Sequence, residues 1–392
     1  MATITRALLE FLPSLSGELN AKPESGKIES LLKKALDAPI DYPSLGESIY
    51  PGDRVAILVQ SELPAARETL DAVIRILESA RIETADILVV TTESMQKTFD
   101  LVEVSSDADA DAETQNSPTK FRMKSDKRDQ PLCFEVHASD DEQAVSYLAA
   151  NEQGNPVYVN RSLCDCDVIL PLSCMTPNKR LSDCLYPDFS TDETRARYRK
   201  KEDTLNERIA EAELANDTLG LFFSIELIRR PGDVIDDVVC GSRVRTRAIA
   251  QDLLGPLWNI DSDDDCDVVV TTIESPASIT SWSNIVRAVN TAATLVDDGP
   301  IVVWSELSEK PKAKVKLACA AQFEGSVPDS LPKRLQHFAS ILCERPVYLK
   351  SKLSQNVVES LGLGFVESAE SVERIVRPFN KPLLIRDGHL RG

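Results

Sequence analysis

Apolar positions along this chain fall into short blocks, and the spacing within the blocks alternates between helical and strand-like. In GKIESLLKKALDA (26–38), Ile28, Leu31, Leu32, Ala35 and Leu36 recur every three or four residues, which predicts an amphipathic helix. A proline-rich connector follows, from Pro39 to Pro51. The uninterrupted run from Asp53 to Val59 then predicts a buried strand, Ala65 to Ala80 a helix, and Ala85 to Val90 a second strand. Strands without polar alternation are buried on both faces. A strand, helix, strand series of this kind therefore implies a parallel sheet covered by helices.

The pattern dissolves over 105–131, SSDADADAETQNSPTKFRMKSDKRDQP, which reads as a mobile surface insertion. Its alternating Asp and Ala lack the glycine and closing glutamate of a calcium loop. Order returns at Leu132–Val136, and the runs 156–160 and 167–172 predict two further strands of the same sheet. Residues 192–215 are charged and helical in pattern, 219–227 reads as a strand, and Arg230-Pro231-Gly232 as a turn.

After Trp258 and the acidic run 261–265 the alternation begins afresh. Strands are predicted at 267–273, 301–305 and 347–350, with helices at 282–296, 332–342 and 355–361. Gly362-Leu363-Gly364 reads as a helix end and turn, since it opens no helix as a dinucleotide fingerprint would. The expected fold is α/β, with two domains, 1–258 and 259–392, each a parallel or mixed sheet flanked by helices, and a cleft between them.

Composition narrows the function classes. A net charge of -19 opposes nucleic acid and anionic membrane surfaces, leaving a small anionic metabolite as the expected ligand through a local basic group. Lys179-Arg180 and Arg243, Arg245 and Arg247 are the local basic groups, with solvated surface charge as the plain alternative. No apolar run reaches the ~20 residues of a membrane helix, and the start has no signal-peptide pattern, so a cytoplasmic protein is expected. The nine dispersed cysteines are expected to be reduced.

Candidate chemistry is sparse. The chain has three histidines, His137, His337 and His389, and any mechanism that needs two imidazoles must draw on them. His337 and His389 read as structural histidines, on a helix and in the tail. Cys164, Cys166, Cys174 and Cys184 lack the paired knuckles of a structural zinc site and read as small buried hydrophobes. No nucleophile elbow, P-loop or zinc-protease motif occurs.

Several stretches together nevertheless resemble the nickel-pincer-dependent lactate racemase family. They are Tyr50–Val59, Val136–Glu142, the run Gly154-Asn155-Pro156-Val157-Tyr158-Val159-Asn160-Arg161, Cys166–Leu170, and Ser283–Ala292 leading to Leu295–Val303. The resemblance implies two α/β domains with a cleft. It also implies a mechanism in which two histidines flank the substrate carbon while hydride moves to and from a nickel-pincer nucleotide, which is tethered to a lysine and bound through nickel by a third histidine. Carried onto this chain, the histidine positions hold Ser94, in Thr91-Thr92-Glu93-Ser94, and Asn178, in Pro177-Asn178-Lys179. The tether region reads Leu181–Asp188 without lysine, and the cofactor-contacting turn becomes Ser61-Glu62-Leu63-Pro64-Ala65. Arg287 stands where the family has a lysine.

Serine and asparagine have no group that titrates near neutrality, so a catalytically degenerate relative is expected, with no cofactor and with a cleft that binds a small carboxylate or a protein partner. Lys179, Arg180 and Arg287 are then the substrate-binding candidates, and Cys184 is a weak metal candidate on ligand softness alone. Two alternatives stand beside this reading. One is a 2-hydroxy-acid racemase or epimerase with a remodelled site, and the other an interaction protein that makes contact through the acidic insertion. Oligomeric state is not readable from the sequence.

Overall fold

The computed structural model describes residues 25–391 apart from 62, 105–118, 127, 129, 178–183, 201–202, 233, 260–265 and 275–279. The chain builds two α/β units on separate sheets. The first carries β1 (Val55–Val59), β2 (Ile87–Thr91), β3 (Leu101–Glu103), β4 (Lys120–Met123), β5 (Cys133–Val136), the separate hairpin β6 (Val145–Ala150) and β7 (Pro156–Asn160), then β8 (Val168–Met175), β9 (Phe223–Arg230) and β10 (Val234–Ser242). Its eight-stranded sheet runs β10-β9-β8-β1-β2-β5-β4-β3. The pairs from β9 through β8, β1 and β2 to β5 are parallel, while β10, β4 and β3 are antiparallel additions at the two edges.

The apolar run of β1 is buried on both faces, as its lack of alternation requires. Val55, Ile57 and Val59 pack with the helices Ser25–Asp37 and Ala66–Ser79, and Ala56 and Leu58 pack on the other side with Val157, Val159, Leu185 and Phe189. The second unit holds β11 (Val268–Thr272), β12 (Ile301–Trp304), β13 (Val347–Lys350), β14 (Gly364–Phe365) and β15 (Pro382–Ile385). All its pairs are parallel, in the order β14-β13-β12-β11-β15. The helices Trp282–Ala293, Ala313–Glu324 and Lys333–Glu344 cover one face and Ala369–Val376 the other.

Ahead of β12, Gly299 fits because it has no side chain: an added Cβ would lie 1.8 Å from the carbonyl oxygen of Asp267. The backbone obstacle cannot rotate away, so Gly299→Ala is expected to destabilise by about 3 kcal/mol, read as a lower urea midpoint at unchanged slope.

Three elements depart from the sequence reading. Residues 120–123 of the expected insertion form β4, paired with β3 and β5; Phe121 and Met123 sit between exposed basic neighbours, which hid the alternation. The acidic half of that stretch lies outside the described residues. β10 escaped notice because Asp236 and Asp237 interrupt its apolar run, where the register shifts between Ile235 and Asp237 as at a β-bulge. The end of the chain adds a strand, β15, paired with β11, and His389 beyond it is a fully buried histidine where a surface or half-buried structural one is expected from the sequence. Among the described residues no helix is long and apolar enough to cross a membrane.

Candidate functional site

In a parallel sheet all strands end on one edge, and side chains just past those ends converge. The chain runs from β1 through β2 to β5 on one side, then returns to place β8 on the other side of β1. Strand order thus reverses at β1, which opens a crevice beyond the strand ends. A cavity of about 1080 Å³ lies there, lined by Ser61 after β1, Thr92, Ser94 and Lys97 after β2, His137 after β5, and Arg195 from the helix Asp192–Lys200.

Three hydroxyls of this lining form a closed triangle. Ser61 Oγ lies 2.8 Å from Thr92 Oγ1, Thr92 Oγ1 lies 2.9 Å from Ser94 Oγ, and Ser94 Oγ donates to Ser61 Oγ at 3.3 Å. Hydroxyl protons rotate, so any of the three can turn outward to donate to a ligand oxygen at little cost.

His137 is the histidine of this cavity, and both its nitrogens are engaged. Nε2 lies 2.8 Å from the Ser190 carbonyl, which only accepts, so Nε2 carries the proton. Nδ1 is then the acceptor for Asn160 Nδ2, at 3.4 Å. Asn160 is itself fixed by donating to Glu135 Oε1 at 2.5 Å, and Ser162 donates to the other oxygen of that carboxylate at 2.6 Å. Burial pushes the His137 pKa below the ordinary imidazole value and the positive Arg195 adds to this, outweighing the Ser190 bond. The ring is a neutral, fixed wall.

The charged lining is mixed. Lys97 is exposed and makes no ion pair among the described residues, whereas Arg195 is tied to Ser139 Oγ at 2.8 Å and to Asp192 at 3.6 Å. Glu93, Glu103 and Asp140 also line the cavity. A smaller cavity of about 580 Å³ shares Ser139 and Asp140 with it and continues past Tyr158 and Arg197.

Of the residues singled out from the sequence, Ser94 is in the cavity, while Asn178, Lys179 and Arg180 lie outside the described residues. Arg287 belongs to the second unit, half-buried on the helix Trp282–Ala293, where its charge acts on His389. Cys184 is buried and its thiol is directed at the carbonyls of Leu58, at 3.2 Å, and Leu172, at 3.7 Å. The basic group near 243–247 is partly committed, Arg243 to Glu213, at 2.5 Å, and Asp217, and Arg245 to Asp41. Among the described residues no three of His, Cys, Asp and Glu are grouped so as to hold a metal ion. Sequence reasoning passed over Thr92, Lys97 and Arg195 as site residues; the usable signal was position just past a parallel strand, which applies to Thr92.

The fold itself has known counterparts. The structure of the lactate racemase apoprotein from Thermoanaerobacterium thermosaccharolyticum superposes with a TM-score of 0.59 at 13% identity, covering 93% of this chain and 92% of that one. A structural-genomics protein from Thermotoga maritima superposes with a TM-score of 0.54 at 12% identity, covering 93% of this chain and 97% of that one. No protein-family model matches the sequence, and no curated protein matches it. The chain has the lactate racemase fold.

Proposed function

We propose that this protein binds a small carboxylate-bearing metabolite in the cavity at the end of its first sheet and does not racemise it. The observation that carries this reading is the hydroxyl triangle of Ser61, Thr92 and Ser94, which stands where the resemblance expects titrating and cofactor-contacting groups. Hydroxyls can donate to a carboxylate, and the ammonium of Lys97 can offset its charge, yet none of these hydroxyls exchanges a proton with a substrate near neutral pH.

Racemisation of a 2-hydroxy acid by hydride exchange needs an acid or base on each face of the carbon. The three histidines do not converge: His137 is engaged through both nitrogens, His337 is exposed on the helix Lys333–Glu344, and His389 is buried beyond β15. The thiol of Cys184, the one weak metal candidate of the sequence, is directed at the sheet carbonyls of Leu58 and Leu172, which supports a reading without the nickel-pincer nucleotide. All nine cysteines are free thiols, which suits a reducing compartment such as the cytosol. A division of the chain near 258/259 and a preference for metabolites over nucleic acid belong to the same proposal.

The test is calorimetric titration with a panel of short carboxylates, 2-hydroxy acids among them. Lys97→Ala and Ser94→Ala are each expected to weaken binding about tenfold, the loss that goes with ~1.4 kcal/mol. Binding left unchanged by both substitutions would remove the cavity from the account.

A further inference from the structure

The second sheet has a crevice of the same kind as the first. From β11 the chain runs through β12 and β13 to β14 on one side and returns with β15 on the other, so strand order reverses at β11. In open α/β sheets such crevices hold ligands. Here the residues past the two strand ends, Glu274 after β11 and Arg386 and Asp387 after β15, instead hold another part of the same chain.

That part is the turn between β9 and β10. The backbone N–H of Gly232 donates to Asp387 Oδ2 at 2.8 Å, while the N–H of Glu274 donates to Oδ1 at 2.8 Å. Arg229, at the end of β9, brings Nη2 within 3.6 Å of the same carboxylate. Arg386 grips Glu274 with both sides of its fork, at 2.7 and 2.5 Å, and lies across the turn so closely that a Cβ on Gly232 would sit 2.1 Å from its Nη2. Gly232 has φ of 100°, a conformation that also requires glycine.

The contact continues along the last residues. Leu390 packs into an apolar cluster of the first unit with Met175, Ile228, Ala250 and Trp258. Arg391 donates to the Trp258 carbonyl and stacks 5.2 Å from that indole ring, whose N–H donates to the Arg229 carbonyl at 2.6 Å. Burial raises the Asp387 carboxyl pKa, but Arg229 and the two backbone N–H groups outweigh it and hold the group ionised.

We propose that Arg386–Arg391 is a clasp that seats the 230–232 turn in the crevice of the second sheet and fixes the two units as one body. The second crevice is thereby closed to ligands by the chain itself. The first-sheet cavity then works in a set arrangement, without domain closure around its ligand. A buried carboxylate that receives N–H donors from both units is a directional contact: sliding the units by even 1 Å breaks it.

The test uses the full chain. In native-state hydrogen exchange of the unaltered protein, the amides of Gly232 and Glu274 are expected to be as protected as the central amides of β1 and β11. In Gly232→Ala and Arg391→Ala those two amides are expected to exchange at least tenfold faster, with β1 and β11 still protected, and calorimetry to show two thermal transitions in place of one. Rapid exchange at Gly232 and Glu274 in the unaltered protein would overturn the clasp. So would variants that keep the single transition and the protection of both amides; the exchange experiment on the unaltered chain decides the matter even if a variant does not fold.

Discussion

Glu211→Ala is expected to lower the unfolding free energy by about 3 kcal/mol, the scale for removing one partner of a buried ion pair. Glu211 is 2% exposed and lies within the helix Leu205–Thr218. It accepts from Arg197 Nη2 at 2.5 Å, from the Tyr186 hydroxyl at 2.6 Å and from Asn151 Nδ2 at 3.3 Å. Burial, then the adjoining carboxylate, pushes the Tyr186 pKa far up, so its hydroxyl stays protonated and needs an acceptor. Removing Glu211 leaves that hydroxyl unanswered and leaves Arg197 with Asp203, at 2.8 Å, as its remaining ion-pair partner. Glu211→Gln, which keeps an acceptor oxygen, should recover part of the loss in a urea titration. Because Arg197 and Arg195 share one helix, the alanine variant should also weaken ligand binding at the cavity rim.

Acid is expected to destabilise this protein well before carboxylates titrate. His389 is buried, and its pKa is pushed down to about 3 by burial, with the charges of Arg229 and Arg287 adding to the effect and Asp387 opposing it. The unfolded chain takes up this proton near the ordinary value of 6.5, whereas the folded chain does not until about 3. A histidine of lowered folded pKa contributes stability that is present above the unfolded value. Between pH 6.5 and 3 the unfolded state binds the extra proton, so stability falls by about 1.4 kcal/mol per pH unit. His137, lowered in the same direction, steepens the slope. Denaturation at stepped pH measures it, and His389→Asn should flatten it. A flat profile from pH 6.5 to 4 in the unaltered protein would contradict the buried, neutral histidine.

Much of the fold was legible because burial on two faces leaves a plain mark. The runs at 55–59, 87–91, 168–172 and 301–304 have no polar alternation, and each became an inner strand. What stayed hidden was strand structure set by partners rather than by its own pattern. β4 is half basic, β10 carries a bulge over two aspartates, and β15 is only four residues, recognisable once β11 offers it an edge. The helix Arg243–Trp258 was masked by its internal Pro256 and by three arginines that suggested surface charge.

The contents of the cavity were legible only in part. The positions of Ser94 and His137 past parallel strands follow from a βαβ reading. The bonding that orients His137 joins Asn160 and Ser190, respectively 23 and 53 residues away, and no local spacing announces it. Arg287, a substrate-binding candidate of the sequence, is carried by its helix in the second unit to a place where its charge acts on His389.

The most direct test of binding without racemisation is to express the chain together with the enzymes that make the nickel-pincer nucleotide. Intact mass, nickel content and lactate racemisation are then measured on one purified sample. An unmodified mass, no stoichiometric nickel and no exchange between lactate enantiomers are expected; a cofactor-sized mass increase accompanied by racemisation would overturn binding without racemisation.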